Sequence, residues 1–351
     1  MERNPYSPRE DAPRVAISIL NWNGWQDTLE CLESVRRLDY PNHLTVVVDN
    51  GSWDDSAERI KAWAHENLGA GHVLADYTQE IALQGGDPQT EEALESVPSP
   101  ARLVLIRNEE NLGFTGGNNV SITYALCQPE PAQYVFFLNN DGRVRPDCLT
   151  RLVEVDRESN AGIVGAVVED SKGSIRFAGS GSLWSRFFFD LIPSAARMRE
   201  EDYWGAPVVA GCAMLIRRDA LQAVHRQRGS YLSAELFAYG DELDFCYRAS
   251  REGYNAVVGR RAVACHDSSV RHKKYACEIP FYYMNRNFVL LARRLLPFPI
   301  RIAFHTFHLL RCARVIARLL RAGRTECAKA VWSGVIDGYR GVGGKWRLRQ
   351  S

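Results

Sequence analysis

Short apolar runs recur along the first part of the chain, and each is followed within two residues by Asn or Asp. Residues 15–20, 44–48, 103–106 and 134–138 are four such runs. Their length and polar boundaries are those of buried strands. Helical spacings lie between them. Leu29, Leu32, Val35 and Leu38 predict a helix over 27–38. A second is predicted over 54–64, and a third follows the glycine-rich stretch 111–119 and runs to about 126. Strands alternating with helices predict a parallel α/β sheet. In such sheets ligands bind beyond the carboxyl ends of the strands.

Past residue 150 the alternation weakens. Residues 163–168 and 208–216 read as strands, 242–251 as a helix, and 256–258 and 262–264 as short strands. Two stretches depart from the pattern. Residues 74–101 carry six acids and no Lys or Arg, with Gly85-Gly86 and three prolines, and read as a solvated surface insertion. Residues 279–325 carry nine arginines and no acid. Their pattern is mostly helical. Leu309, Leu310, Ala313, Ile316, Ala317 and Leu320 fall near one face, with Arg311, Arg314, Arg318 and Arg321 on the other side. An apolar face beside an arginine face predicts a helix lying on anionic lipid.

Composition narrows the class. With 351 residues, 46% hydrophobic and 24% charged, the chain can bury a real core. A net charge of +1 gives no global pull toward nucleic acid. The nine cysteines form no CxxC pair. That excludes zinc-ribbon and thioredoxin-type motifs and points to reduced thiols in a cytosolic setting. Residues 1–14 lack the apolar stretch of a secretory signal. No uninterrupted apolar run approaches the ~18 residues of a spanning helix.

Candidate chemistry sits at the strand ends. Asp49, in Asp49-Asn50-Gly51-Ser52, can accept hydrogen bonds from a ribose hydroxyl or base N–H. The same four residues are also strong turn formers. Residues 111–119, Asn-Leu-Gly-Phe-Thr-Gly-Gly-Asn-Asn, open a helix but fit neither GxGxxG nor the P-loop spacing. Asp141, after Asn139-Asn140, can hold a divalent cation together with substrate phosphates. Asp241, Glu242 and Asp244 put three acids in four residues, which raises the pKa of at least one if buried. A raised carboxylate suits a general base. His266 follows a short strand and can complete a metal or diphosphate site.

The order of these elements resembles the family 2 glycosyltransferases, nucleotide-sugar-dependent enzymes of the GT-A fold, and within them the bacterial cell-surface polysaccharide or rhamnosyltransferase type. The resemblance covers roughly residues 14–295. It is carried by Ile19-Leu20-Asn21-Trp22-Asn23-Gly24, Val48-Asp49-Asn50-Gly51-Ser52, Asn111-Leu112-Gly113-Phe114, Phe137-Leu138-Asn139-Asn140-Asp141, Gly211-Cys212-Ala213-Met214, Tyr239-Gly240-Asp241-Glu242 and His266. It implies a Rossmann-like, mostly parallel sheet flanked by helices, with a C-terminal helical extension. A catalytic domain would span 14–278. Residues 14–145 would form its nucleotide-binding half, with the acidic insertion at about 74–101, and 146–278 its acceptor half. A basic helical region would follow at 279–351.

The resemblance also implies roles. Asn21, Asn23, Asp49, Asn111, Gly113, Asn118 and Asn140 would bind the nucleotide-sugar. Asp141, the last acid of a DxD motif reduced to Asn139-Asn140-Asp141, and His266 would hold Mg²⁺ or Mn²⁺. Glu242 is the aligned general base, with Asp241 beside it in an order inverted from the usual Glu-Asp. The implied reaction (EC 2.4) is metal-assisted inverting transfer of a sugar from a nucleotide-diphospho-sugar to a hydroxyl of a glycan or lipid-linked acceptor. Trp184, residues 187–189 and Trp204 lie where the acceptor side would form, though core packing accounts for them better. The implied location is cytoplasmic, peripheral on the inner face of the cell membrane.

Other classes fit worse. A nicotinamide oxidoreductase needs GxGxxG straight after the first strand, where this chain has Asn21-Trp22-Asn23-Gly24. A sugar nucleotidyltransferase needs a basic glycine-rich loop there. A non-catalytic nucleotide-sugar or glycan-binding module of the same fold is the main alternative, because the DxD motif is reduced.

Overall fold

The apolar runs become the inner strands of one sheet. In the computed structural model, which describes residues 12–182, 187–188, 200–266 and 278–346, the strands are β1 (Val15–Asn21), β2 (His43–Asn50), β3 (Val73–Thr78), β4 (Arg102–Asn108), β5 (Tyr134–Asn139), β6 (Gly142–Val144), β7 (Gly162–Glu169), β8 (Ile175–Phe177), β9 (Tyr203–Gly205), β10 (Ala213–Arg217) and β11 (Asn255–His266). Their order is β3-β4-β2-β1-β5-β10-β7-β11-β6, with β8 on β7 and β9 on β11. The first five strands pair parallel. Strand β10 runs antiparallel between β5 and β7, while β7 and β11 are parallel. Strand β2 is buried at every position, as expected of a strand covered by helices on both faces.

Three local expectations change. Residues 74–101 are not a loose insertion. They hold the edge strand β3 and the helices Gln79–Leu83 and Pro88–Glu95. The acids have structural work there. Asp87 caps its helix through Thr90 N. The buried carboxylate of Glu91 accepts from the hydroxyls of Tyr77 and Tyr124 at 2.8 and 2.9 Å. The strand expected over 208–216 is confined to Ala213–Arg217. The two short strands expected near 260 are one strand, β11, with a register shift between Gly259 and Val263.

Helices Glu278–Leu295, Phe298–Arg321 and Thr325–Arg340 close the chain. They share a core with the second half of the sheet region: Val208, Leu236 and Leu243 pack with Phe288, Leu291 and Phe304. The first and third helices approach very closely, since a Cβ on Gly334 would lie 2.4 Å from the Tyr282 carbonyl oxygen. Helix Phe298–Arg321 buries Phe304, His308, Cys312 and Leu319. Its Phe298, Ile302, Leu309, Leu310 and Leu320 stay exposed. Among the described residues no helix is long and apolar enough to cross a membrane.

Candidate active site

At the carboxyl ends of β1 and β2 the polar residues form a buried chain. Asn21 Nδ2 donates to Asp49 Oδ1 at 2.8 Å, and the Ser52 hydroxyl donates to the same oxygen. Thr28 Oγ1 donates to Asn21 Oδ1 at 2.8 Å, and Asn140 Nδ2 to Thr28 Oγ1 at 3.1 Å. Asn23 joins through its backbone N–H to Ser52 Oγ at 2.9 Å and through its side-chain oxygen to Trp53 N at 2.9 Å. Burial raises the pKa of Asp49, and the hydrogen bonds from Ser52 and Asn21 work against that shift. The carboxylate is thus fixed in direction before any ligand arrives.

The glycine-rich stretch is tied to β2 by one side chain. Asn50 Nδ2 donates to Asn111 Oδ1 and Gly113 O, both at 3.1 Å, while Asn50 Oδ1 accepts from Leu112 N at 3.2 Å. Gly113 has φ +73°, and a Cβ there would lie 2.4 Å from the Phe237 carbonyl oxygen. Only glycine fits that position. Asn118 is held within the fold. It is buried, accepts from Ser18 Oγ at 2.8 Å and donates to Phe114 O at 2.8 Å. It braces the helix Gly113–Leu126 from within and is not on the cleft wall.

Asp141 and His266 come together because β11 pairs antiparallel with β6, His266 opposite Gly142. His266 Nε2 lies 2.9 Å from Asp141 Oδ1, and Asn139 Nδ2 lies 3.3 Å from the same nitrogen. A carboxylate and an imidazole on adjoining strand ends are a donor set a divalent cation accepts. Among the described residues no group of three or more His, Cys, Asp or Glu assembles for a metal. A cation held here would need further ligands, as the phosphates of a nucleotide substrate supply.

Helix Asp241–Arg251 presents the carboxylate pair at its first turn. Asp241 is buried and Glu242 half-buried. Burial, and then the adjacent Glu242, hold the Asp241 carboxyl well above the usual carboxylate range. The anion is therefore disfavoured on the buried member, and Glu242 is the one more open to the cleft. Asp244 is spent on structure: it pairs with Arg248 at 2.8 Å and accepts from Ser233 Oγ at 2.6 Å. Burial, followed by Asp141, pushes the Cys212 thiol up to about 12, which removes it as a nucleophile.

One cleft of about 1870 Å³ has walls formed by Asn111, Gly113, Asn140, Asp141, Asp241, Glu242 and His266. Asn21, Asn23 and Asp49 stand behind this wall. The volume exceeds the ~300–1,000 Å³ of a site for one small ligand. Two parts of the wall escaped the sequence reading. Trp53, 76% exposed and edge-on to Trp22 at 5.2 Å, lines the cleft directly after the Asp49 turn. Lys329, Trp332, Ser333, Ile336 and Arg340 also line it. Their spacing puts them on one face of helix Thr325–Arg340, a periodicity legible in the chain. Trp204 is buried, its Nε1 donating to Ala178 O at 3.1 Å, and belongs to the core. Trp184, Phe189 and residues 267–269 lie outside the described residues.

Residues 16–224 match the sequence profile of Glycosyl transferase family 2. Agl10 of Haloferax volcanii, a low-salt glycan biosynthesis hexosyltransferase, is 24% identical over 239 residues, covering 67% of this chain and 75% of Agl10. Among solved structures, the mannosyltransferase PcManGT of Pyrobaculum calidifontis, in complex with GDP-Man and Mn²⁺, superposes with a TM-score of 0.57 at 15% identity. That superposition covers 95% of this chain and 88% of the other. The fold is that of the GT-A glycosyltransferases, and with more than half its length matched by the family profile, this chain belongs to glycosyl transferase family 2 and is a glycosyltransferase.

Proposed function

We propose that the protein moves a sugar from a nucleotide-diphospho-sugar to a hydroxyl of a glycan or lipid-linked acceptor, with inversion at the anomeric carbon. The observation that carries this reading is the convergence of Asp141–His266 and Asp241–Glu242 on one cleft. Residues 14–278 would form the catalytic unit and 279–351 a helical region that closes over it.

The donor half is the Asn21–Asp49–Ser52 chain with the Asn111–Gly113 loop. The fixed Asp49 carboxylate suits a ribose hydroxyl or base N–H, and the exposed Trp53 ring suits the face of the base. Asp141 and His266 would hold a divalent cation. When bound, that cation supplies charge neutralisation for the diphosphate leaving group. Glu242 removes the proton of the acceptor hydroxyl as the new C–O bond forms and the bond to diphosphate breaks. The acceptor's place is the face of Thr325–Arg340 bearing Trp332, whose indole matches the apolar face of a sugar ring. The exposed apolar stripe of Phe298–Arg321, flanked by Arg314, Arg318 and Arg321, favours a peripheral position on an anionic membrane surface. Incubation with UDP-, TDP- and GDP-sugars, with Mn²⁺ or with EDTA, tests the reading. It expects donor hydrolysis or transfer for one nucleotide and loss of it in EDTA. Silence across all donors would contradict it.

A further inference from the structure

The turn leading into the carboxylate pair is strained, and the C-terminal region holds it. Ala238 N donates to Leu236 O at 2.7 Å, and Phe237 between them has φ +63° and ψ −57°. This is a γ-turn of the rare positive-φ hand on a residue that carries a Cβ. Tyr239, two residues before Asp241, also has a positive φ of +68°. Such conformations persist only where the surroundings over-determine them.

Two consecutive residues of helix Glu278–Leu295 supply those surroundings. Asn287 Nδ2 lies within hydrogen-bond distance of the carbonyl oxygens of Leu236, Ala238 and Tyr239, at 2.9, 2.7 and 2.7 Å. Arg286 donates to Glu235 O at 2.9 Å and Leu236 O at 2.8 Å, and its guanidinium also meets Gly344 O. Its Nε donates to Asn287 Oδ1 at 2.8 Å, which fixes the orientation of the amide. Arg286 is wholly buried, and the rings of Tyr282 and Tyr283 lie 5.4 and 4.8 Å from its guanidinium carbon. A buried cation needs its N–H groups engaged, and here the carbonyls of Glu235, Leu236 and Gly344 and the Asn287 side chain engage them. The Phe237 ring stacks on Tyr283 of the same helix at 5.0 Å, and on its other side the turn meets the donor loop, where Phe237 O accepts from Thr115 N at 3.1 Å.

We infer that Arg286 and Asn287 are positioning residues for the carboxylate pair, clamping the Phe237 γ-turn so that Asp241 and Glu242 emerge on the cleft wall beside the donor loop. The inference rests on the reading of Asp241–Glu242 as the proton-accepting pair. A contact that merely docks the helix would set stability alone; a clamp sets turnover.

Steady-state turnover with Mn²⁺ and whichever of UDP-glucose, GDP-mannose or TDP-glucose the enzyme uses separates the two. Asn287→Ala should lower kcat by about 10–100-fold, the scale of a misplaced catalytic group. Donor KM and nucleotide affinity should change by less than about threefold. Adding Phe237→Gly should recover much of the loss, because glycine adopts the turn without strain. Asn287→Ser, which keeps one donor, should fall between, and serves if the alanine variant does not fold. Wild-type kcat in both Asn287 variants, or a loss that Phe237→Gly leaves untouched, would overturn the clamp. Glu242→Gln, measured alongside, tests the underlying reading separately. If it is inactive while Asn287→Ala is normal, the clamp alone fails. If Glu242→Gln and Asp241→Asn are both fully active, the pair is not the proton acceptor and the clamp fails with it.

Discussion

The imidazole of His266 lies 2.9 Å from the carboxylate of Asp141, although the two stand 125 positions apart in the chain. Strand β5 ends at Asn139, the chain turns at once into β6, and β11 returns antiparallel so that its last residue meets Gly142. Asp141 lies in the turn between β5 and β6, and His266 at the end of β11, so backbone pairing rather than side-chain packing sets the pair. A pair set in this way is presented to the cleft by the backbone itself.

Asp141→Ala should therefore remove the metal-dependent part of nucleotide binding. Calorimetry with UDP, TDP and GDP, with and without Mn²⁺, reads it. The expected outcome is Mn²⁺-enhanced binding in the wild type and none in the variant. Enhancement that survives the substitution would exclude Asp141 as a ligand.

Trp53→Ala should weaken nucleotide binding without touching the carboxylates. Stacking of a base on an aromatic ring contributes roughly 1–3 kcal/mol, so the dissociation constant should rise about 5–150-fold. Phenylalanine at this position should restore most of it. An unchanged affinity in Trp53→Ala would mean that the base lies elsewhere.

Asp241 gives a pH prediction whose sign follows from its raised pKa. The folded state prefers the protonated acid, so this contribution to stability is present at low pH and is lost as pH rises through the raised value. Asparagine mimics the protonated form at every pH. The melting temperature of Asp241→Asn relative to wild type should thus be more favourable at pH 8 than at pH 4. The reverse ordering would mean that Asp241 is ionised in the fold.

Membrane association has a direct assay. Each basic residue near an anionic surface contributes ~1 kcal/mol, so replacing Arg314, Arg318 and Arg321 by serine should weaken binding by about 100-fold. Ile302→Glu with Leu309→Glu should abolish it by making the exposed apolar stripe polar. Flotation with anionic and neutral vesicles checks both. Wild-type protein that ignores anionic vesicles would leave the stripe to another role.

Much of this architecture could be read from the chain. Apolar runs ending in Asn and Asp located four inner strands, because a strand covered on both faces must be apolar throughout and must stop where polar groups begin. The positions of Asp141, Glu242 and His266 at or beside element ends could be read in the same way, and all three line the cleft. Strand β3 was missed since an edge strand needs only one apolar face, and its neighbours' acids resemble a solvated loop until Glu91 is seen inside, bonded to two phenols. Asn118 follows the helix-opening glycines, and the sequence does not say which side of that helix meets Ser18. The buried Arg286 could not be found in sequence at all. One arginine among nine looks like the others until backbone carbonyls gather around it.

The central claim is that Glu242 takes the acceptor proton, and turnover of Glu242→Gln and Asp241→Asn beside wild type tests it most directly. Removal of a general base lowers the rate by about 10²–10⁴. The account predicts that loss in kcat for Glu242→Gln, with nucleotide affinity retained and a smaller effect in Asp241→Asn. Normal turnover in Glu242→Gln together with an inactive Asp241→Asn would contradict it and move the base to the buried carboxylate.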